Sequence, residues 1–265
     1  MNNKITVVTA YFDIESKATH AEYQDWMRNF LPRLNASLVV FTDKNNQALI
    51  QSLRVKQSHS TRIIVTSIEE FFTYQYNRLW KLHWRRDHEA ERHSPDLYMI
   101  WNEKPRFLEI AIQQNPFDSE YFLWCDIGCF RNRPQDVSLT VLEDWPRIDR
   151  LHKDKVTITY LSPFSAKDFK SVDGKLMSSS DFRERVTVAG GIYGGGAAGL
   201  KDWIDVFYKT LSAFFEYGRF AGKDQNLIAN MACMHPQLFD LVIPEGYRRD
   251  PWFYLQYYLS GQNTS

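Results

Sequence analysis

Cysteine is scarce in this sequence: Cys125, Cys129 and Cys233 are the only three among 265 residues. An odd, low count in a chain of this length argues against a disulfide framework and fits a reducing compartment. Net charge is absent too, with 32 basic residues set against 32 acidic ones. No global field therefore draws the protein onto nucleic acid. No apolar run reaches the length of a membrane-spanning helix. The opening "MNNKITVVTAYFDI" soon meets Asp13 and Glu15, so it does not read as a signal peptide. These absences together give the expectation of a cytoplasmic protein. The turn after the first strand-like run, "VVTAYFDIES", holds no glycine. That argues against the phosphate-cradling loop with which dinucleotide-binding and nucleotidyl-transferring domains open.

Aromatics are abundant, with 8 Trp, 14 Tyr and 18 Phe. Most fill a bulky core, and some are expected to face a cleft, where flat rings with polar tips suit bases and sugars. The pattern alternates short β-branched runs with amphipathic stretches. Strands are expected over 4–9, 37–43, 62–68, 120–130, 155–163, 185–193 and 238–244. Helices are expected over 20–31, 71–93, 102–116 (with Pro105 in the first turn), 200–217 and 224–234, and residues 165–181 read as a loop. The "HWRRDHEAERH" end of the second helix reads as a solvated face, because His83, His88 and His93 are spaced five apart rather than four. Such alternation gives an α/β fold with a mainly parallel sheet and helices on both faces. Ligands in such sheets bind beyond the carboxyl ends of the strands, which lines up Thr9–Asp13, Asp43, Asp126–Phe130 and Gly190–Gly199 along one edge.

Two local patterns carry chemistry. The first is "GGIYGGGAAG", in which Gly194, Gly196 and Gly199 spell G-x-G-x-x-G. A dinucleotide site needs a second strand ending on an acid about twenty residues later. Here "GRFAGKDQNL" follows the helix instead, so the dinucleotide reading is rejected. The glycines are expected to form a tight turn whose bare backbone lies against a ligand. The second pattern is "LWCDIGCF", with Asp126 alone at a strand end. A charge there must be solvated, paired or metal-bound. Mg²⁺ or Mn²⁺ can be held by one carboxylate when a diphosphate completes the shell. Zinc on the three cysteines and His235 is disfavoured, since strand positions four apart lie roughly 13 Å from each other.

Five segments, "VVTAYFDI", "IWNEKPRFLEIAI", "YFLWCDIGCFR", "GGIYGGG" and "GKDQNLIANM", resemble in order and spacing the bacterial HtrL/YibB-like family of GT-A fold glycosyltransferases. The resemblance spans most of the chain. It implies a single GT-A-like domain over 1–265, with a nucleotide-binding half at 1–130 and an acceptor or sugar half at 131–265. It implies a nucleotide-sugar donor, UDP-sugar by family analogy, a divalent metal (Mn²⁺ or Mg²⁺), and a glycan or lipid-linked glycan acceptor. By that analogy Thr9 and Tyr11 touch base and ribose, Asp43 bonds the base, and Lys104 and Arg106 offset phosphate charge. Asp126 and His235 hold the metal, Gly190 and Gly191 form a floor for the sugar, Gln225 lies near donor and acceptor, and Asp224 is a candidate general base. Gly128 stands where the family's D-x-D motif has its second acid.

Rival readings are a non-catalytic sugar-nucleotide or glycan-binding module and, further off, an NAD-dependent oxidoreductase. The basic and aromatic tail, Gly246 to Leu259, is expected to pack as a last helix or to meet an acceptor or a membrane surface.

Overall fold

The protein is described by a computed structural model that covers residues 4–134, 136–172, 175–178, 181–183 and 185–261. Its elements follow in the order β1 (Ile5–Tyr11), α1 (His20–Phe30), β2 (Ser37–Thr42), α2 (Gln47–Leu53), β3 (Thr61–Val65), α3 (Asn77–Trp84), α4 (Pro95–Gln114) and β4 (Tyr121–Cys125). Then come β5 (Val156–Tyr160), β6 (Phe169–Val172), β7 (Lys175–Ser178), β8 (Val188–Gly196), α5 (Ala197–Glu216), α6 (Asp224–Met234), β9 (Phe239–Val242) and α7 (Tyr254–Tyr258).

Seven strands form one sheet in the order β3-β2-β1-β4-β8-β5-β9. All neighbours are parallel except β8, which runs antiparallel between β4 and β5. The expected α/β architecture is therefore present, and the sheet draws its strands from both halves of the chain. Alternation along β1 shows why both faces are covered: Val8 and Ala10 belong to one apolar cluster, Val7 and Tyr11 to the other. The first cluster is closed by α4, α5 and α6, and the second by α1 and α7. From β1 the chain builds β2 and β3 on one side, then returns to lay β4 on the other. The carboxyl ends of β1 and β4 thus flank a topological switch point, where open α/β sheets hold their ligands.

Four local expectations are corrected. The helix expected at 102–116 already starts at Pro95: the Ser94 side chain accepts from the Leu97 N–H, and Pro105 lies mid-helix. The signal was Ser-Pro at the N-cap and first helical position, which fixes a helix start better than the later proline. The stretch 71–93 is not one helix. A 3₁₀ turn at Phe72–Tyr76 leads into α3, and the "RRDHEAERH" end folds into turns. Its Trp84 indole donates to the carbonyls of Ala90 and His93 at 2.9 and 2.8 Å, and Asp87 and His93 are buried together. Residues expected as a loop, 165–181, include the hairpin β6–β7 in the part that is described.

The glycine run is also not a turn. It is the interior strand β8, between β4 and β5, buried along its whole length. A Cβ at Gly194 would stand 2.3 Å from the Phe122 carbonyl oxygen, at Gly195 2.3 Å from that of Lys155, and at Gly196 2.1 Å from that of Lys153. Three of the five glycines in 190–196 therefore serve backbone packing. The aromatic tail likewise packs inward: Phe253, Tyr254, Leu255, Tyr257 and Leu259 are buried in the second cluster. Among the described residues no helix is long and apolar enough to cross a membrane.

Candidate functional site

Four segments meet at the switch point. Strand β4 ends at Cys125 and delivers Asp126, whose backbone N–H bonds the Gly191 carbonyl at 2.8 Å. The antiparallel β8 brings Gly190 and Gly191 to the same edge. Helix α4 crosses the first face and points Lys104 inward. The start of α6 presents Asp224, after Lys223 in the loop before it, and that loop is pinned by Asn102, whose amide donates to the carbonyls of Ala221 and Gly222, both at 3.2 Å.

The centre of the site is a buried ammonium. Lys104 Nζ lies 2.9 Å from Asp126 Oδ1, 2.9 Å from Asp224 Oδ2 and 3.0 Å from the Gly190 carbonyl oxygen. An ammonium has three N–H donors, and three acceptors surround it. Burial favours the neutral amine, but the two carboxylates outweigh it and hold the Lys104 pKa above its ordinary value. Asp126 Oδ1 also accepts from the Trp124 indole at 2.7 Å. Its Oδ2 turns toward Gly191, where an added Cβ would stand 3.5 Å from it. At Gly190 an added Cβ would stand 3.3 Å from Asp224 Oδ2. Gly190, unlike Gly194–Gly196, is bare where a carboxylate needs room, and at Gly191 the nearest atom to an added Cβ is Trp252 Nε1 at 3.3 Å. Asp224, the first residue of α6, has its pKa raised, chiefly by burial and further by Asp126, with Lys104 opposing.

Above this floor is a cleft walled by Tyr11, Tyr23, Trp26, Trp101 and Trp252. It continues over Lys17, Lys223 and Gln225, with Trp101, Asp126 and Arg131 lining both parts. The Arg131 guanidinium lies 4.3 Å from the Trp26 ring centre, and its Nε donates to the Gly128 carbonyl at 2.9 Å. The Lys17 ammonium lies 5.1 Å from the Trp101 ring centre. Sequence reasoning missed Lys17, Arg131, Trp26, Trp101 and Trp252. Of these, Trp101 and Arg131 stood inside segments already singled out, "IWNEKPRFLEIAI" and "YFLWCDIGCFR", and Trp252 stood in the aromatic tail.

The structure brings Tyr11, Lys104, Asp126, Gly190, Asp224 and Gln225 into this cleft, with Gly191 beneath it. Thr9 is fully buried in the interior of β1. Asp43 follows β2 and accepts from the N–H groups of Asn45 and Asn46 at 2.8 and 3.0 Å, beside Asp13 but outside the cleft lining. Arg106 is turned about 200° from Lys104 on α4 and pairs with Glu109 instead. His235 ends α6, about 16 Å along the helix from Asp224, and lines a separate groove with Phe214 and Met234.

The donors do not assemble into the expected metal centre. Asp126 and His235 are not brought together. Gly128 has no space for an acid, because an added Cβ would meet Trp26 Cε3 at 2.7 Å. Lys104 already lies between the two carboxylates. The one group of three His, Cys, Asp or Glu ligand atoms close enough for a metal, among the described residues, is Asp87, Glu89 and His93, within 4.8 Å of one another. Lys223 already pairs with Glu89, and with Asp87 at 3.7 Å. The cysteines form no such group. The chain turns after Cys125, however, and brings the Cys129 thiol back into contact with the Cys125 thiol, closer than strand spacing would place it.

The family described as "Bacterial protein of unknown function (HtrL_YibB)" is matched over residues 3–258. Among curated proteins none matches the sequence. Among solved structures the chain is similar to mouse xyloside xylosyltransferase 1 in its apo form, at 10% identity over 89% of this chain and 84% of that one, with a TM-score of 0.48. It is also similar to 4-diphosphocytidyl-2C-methyl-D-erythritol synthase from Anaerococcus prevotii DSM 20548, at 10% identity over 98% and 99%, with a TM-score of 0.43. Likenesses this distant carry no residue roles across.

Proposed function

The chain belongs to the HtrL_YibB family, and we propose that it is a GT-A-like glycosyltransferase that moves a sugar from a nucleoside-diphosphate donor to a hydroxyl of a glycan or lipid-linked glycan. The observation that carries this reading is the convergence of Lys104, Asp126, Asp224 and Gly190 at the β1/β4 switch point, under an aromatic-walled cleft. Rings and charge together suit a ligand with a flat base, a sugar and phosphates.

Each part has a role in this reading. Tyr11, whose hydroxyl bonds His20 Nδ1 at 2.7 Å, is held rigid as a wall for base and ribose. Bare backbone at Gly190 and Gly191 leaves the donor sugar close to the carboxylates. The acceptor oxygen attacks the anomeric carbon as the bond from that carbon to the diphosphate oxygen breaks. Asp224 takes the acceptor proton, and burial helps by lifting its pKa toward working pH. Gln225, next in α6, lies at the same opening for a sugar hydroxyl. UDP is the donor nucleotide by family analogy.

A thermal-shift panel with UDP, GDP, CMP and NAD tests the reading. A ligand at a hundred times its dissociation constant adds about 2.7 kcal/mol of stability. Stabilisation by UDP, followed by UDP release from a UDP-sugar that falls about 10²–10⁴-fold in Asp224→Asn, supports it. UDP binding without release from any donor and acceptor offered would leave a binding module. Stabilisation by NAD alone would overturn the proposal.

A further inference from the structure

We infer that this cleft holds its diphosphate without a divalent metal: Lys104 stands as a fixed cation between Asp126 and Asp224, and Arg131 and Lys17 carry the charges that meet the phosphates. The inference rests on the donor reading above.

Geometry at Lys104 is the first argument. Two carboxylate oxygens at 2.9 Å and a carbonyl oxygen at 3.0 Å surround one point, as hard oxygen donors surround a cation. A side-chain ammonium fills that point. A second cation on Asp126 Oδ2 would share one carboxylate with it, and the two like charges would repel. The position that would supply a further acid, Gly128, is closed by the Trp26 ring. The neighbouring acidic group repeats the arrangement, since Lys223 pairs with both Asp87 and Glu89. In both places the acids are already matched by a lysine of the chain.

The second argument is which cations remain. Among the described residues, Arg131 and Lys17 form no ion pair with a carboxylate, and both line the opening. Arg131 is fixed by its Nε bond to Gly128 and by the rings of Trp26 and Phe253, at 4.3 and 5.3 Å, which leaves its terminal nitrogens for a ligand. A guanidinium so held suits the paired oxygens of a phosphate. Two positive groups match the two charges of the diphosphate in a nucleotide sugar. As the anomeric carbon–oxygen bond breaks, its electron pair goes to the departing diphosphate oxygen, where Arg131 and Lys17 offset the charge. The acceptor proton goes to Asp224.

Calorimetric titration of UDP into the wild-type chain, with EDTA and then with Mn²⁺, is the central test. The expected dissociation constants agree within about twofold. In EDTA, Arg131→Gln and Lys17→Gln should each weaken UDP about tenfold or more, and uridine far less. A further arm uses Lys104→Met: with the ammonium removed, Asp126 and Asp224 face each other, and UDP binding should become stronger with Mn²⁺ than with EDTA. Should that variant not fold, the wild-type comparison decides alone. UDP binding that collapses in EDTA and returns with Mn²⁺ overturns the metal-free inference and leaves the donor reading standing. No binding of UDP, GDP or CDP by folded protein in either condition overturns both.

Discussion

Trp26 occupies the space in which a side chain at residue 128 would have to stand: a Cβ added to Gly128 would lie 2.7 Å from ring carbon Cε3 and 3.0 Å from Cζ3. The Arg131 guanidinium rests on the same ring. One tryptophan thus decides both that "CDIG" carries a single acid and where the cleft's arginine sits. Gly128→Asp, which restores a D-x-D pattern in the sequence, should cost about 1–3 kcal/mol by overpacking. It should not create Mn²⁺ binding, whereas Gly128→Asp with Trp26→Ala should recover part of the stability. Urea denaturation with and without Mn²⁺ checks both statements.

Lys104 ties together two acids that lie on different elements. Lys104→Met leaves Asp126 and Asp224 without their shared cation and should destabilise the fold by about 3–5 kcal/mol. The loss should shrink in acid, because protonation of Asp224, whose pKa burial already raises, removes the uncompensated charge. Denaturation midpoints of the variant and the wild type from neutral to acid pH give the answer. A constant gap between them would count against the tie.

The glycines of β8 divide into two kinds, and substitutions should separate them. Gly194→Ala sets a methyl 2.3 Å from the Phe122 carbonyl oxygen, where only backbone can move. It should cost at least about 3 kcal/mol, the upper end of overpacking. Gly190→Ala meets the Asp224 carboxylate at 3.3 Å, so it should change stability little and weaken donor binding. Melting curves and UDP titration on the two variants should give opposite orders of severity.

His83 should give the fold an acid-sensitive step. Its ring accepts the Ala221 N–H at 3.0 Å in a buried setting, and burial lowers its pKa from 6.5 to about 4. The unfolded chain then binds a proton more readily than the folded one, so stability falls as pH drops through the window from 6.5 toward 4. Between pH 7 and pH 5 this group alone should remove about 2 kcal/mol. His83→Gln should flatten that part of the urea-denaturation profile. Because Ala221 lies in the loop that leads to Asp224, donor binding should weaken over the same window.

Much of the fold was legible in the chain because alternation and period report burial directly. β1, β2, α1, α5 and α6 lie close to their expected spans. The errors fall where a local signal has two meanings. Pro105 reads as a helix start, yet Ser94 and Pro95 hold the N-terminus of α4. A run of glycines reads as a turn, yet here it is a strand pressed against its neighbours. The charged "RRDHEAERH" stretch reads as a solvated helix, yet a buried bond of 2.6 Å between His93 and Asp87 folds it into turns.

By itself the sequence determined that Asp126 ends a strand at the ligand-binding edge of an α/β sheet and that Asp224 opens a helix. Those facts follow from hydrophobic period and turn chemistry, which act over a few residues. Only the tertiary structure decided which charges meet. Residues 104, 126, 190 and 224 share no local pattern, and they touch because β4, β8, α4 and α6 converge at the switch point. Helix rotation turned Arg106 outward while Lys104 turned inward, and helix length carried His235 away from Asp224. Pairing of charges depends on distances between elements, and those distances are set by packing, which no short stretch of the chain encodes.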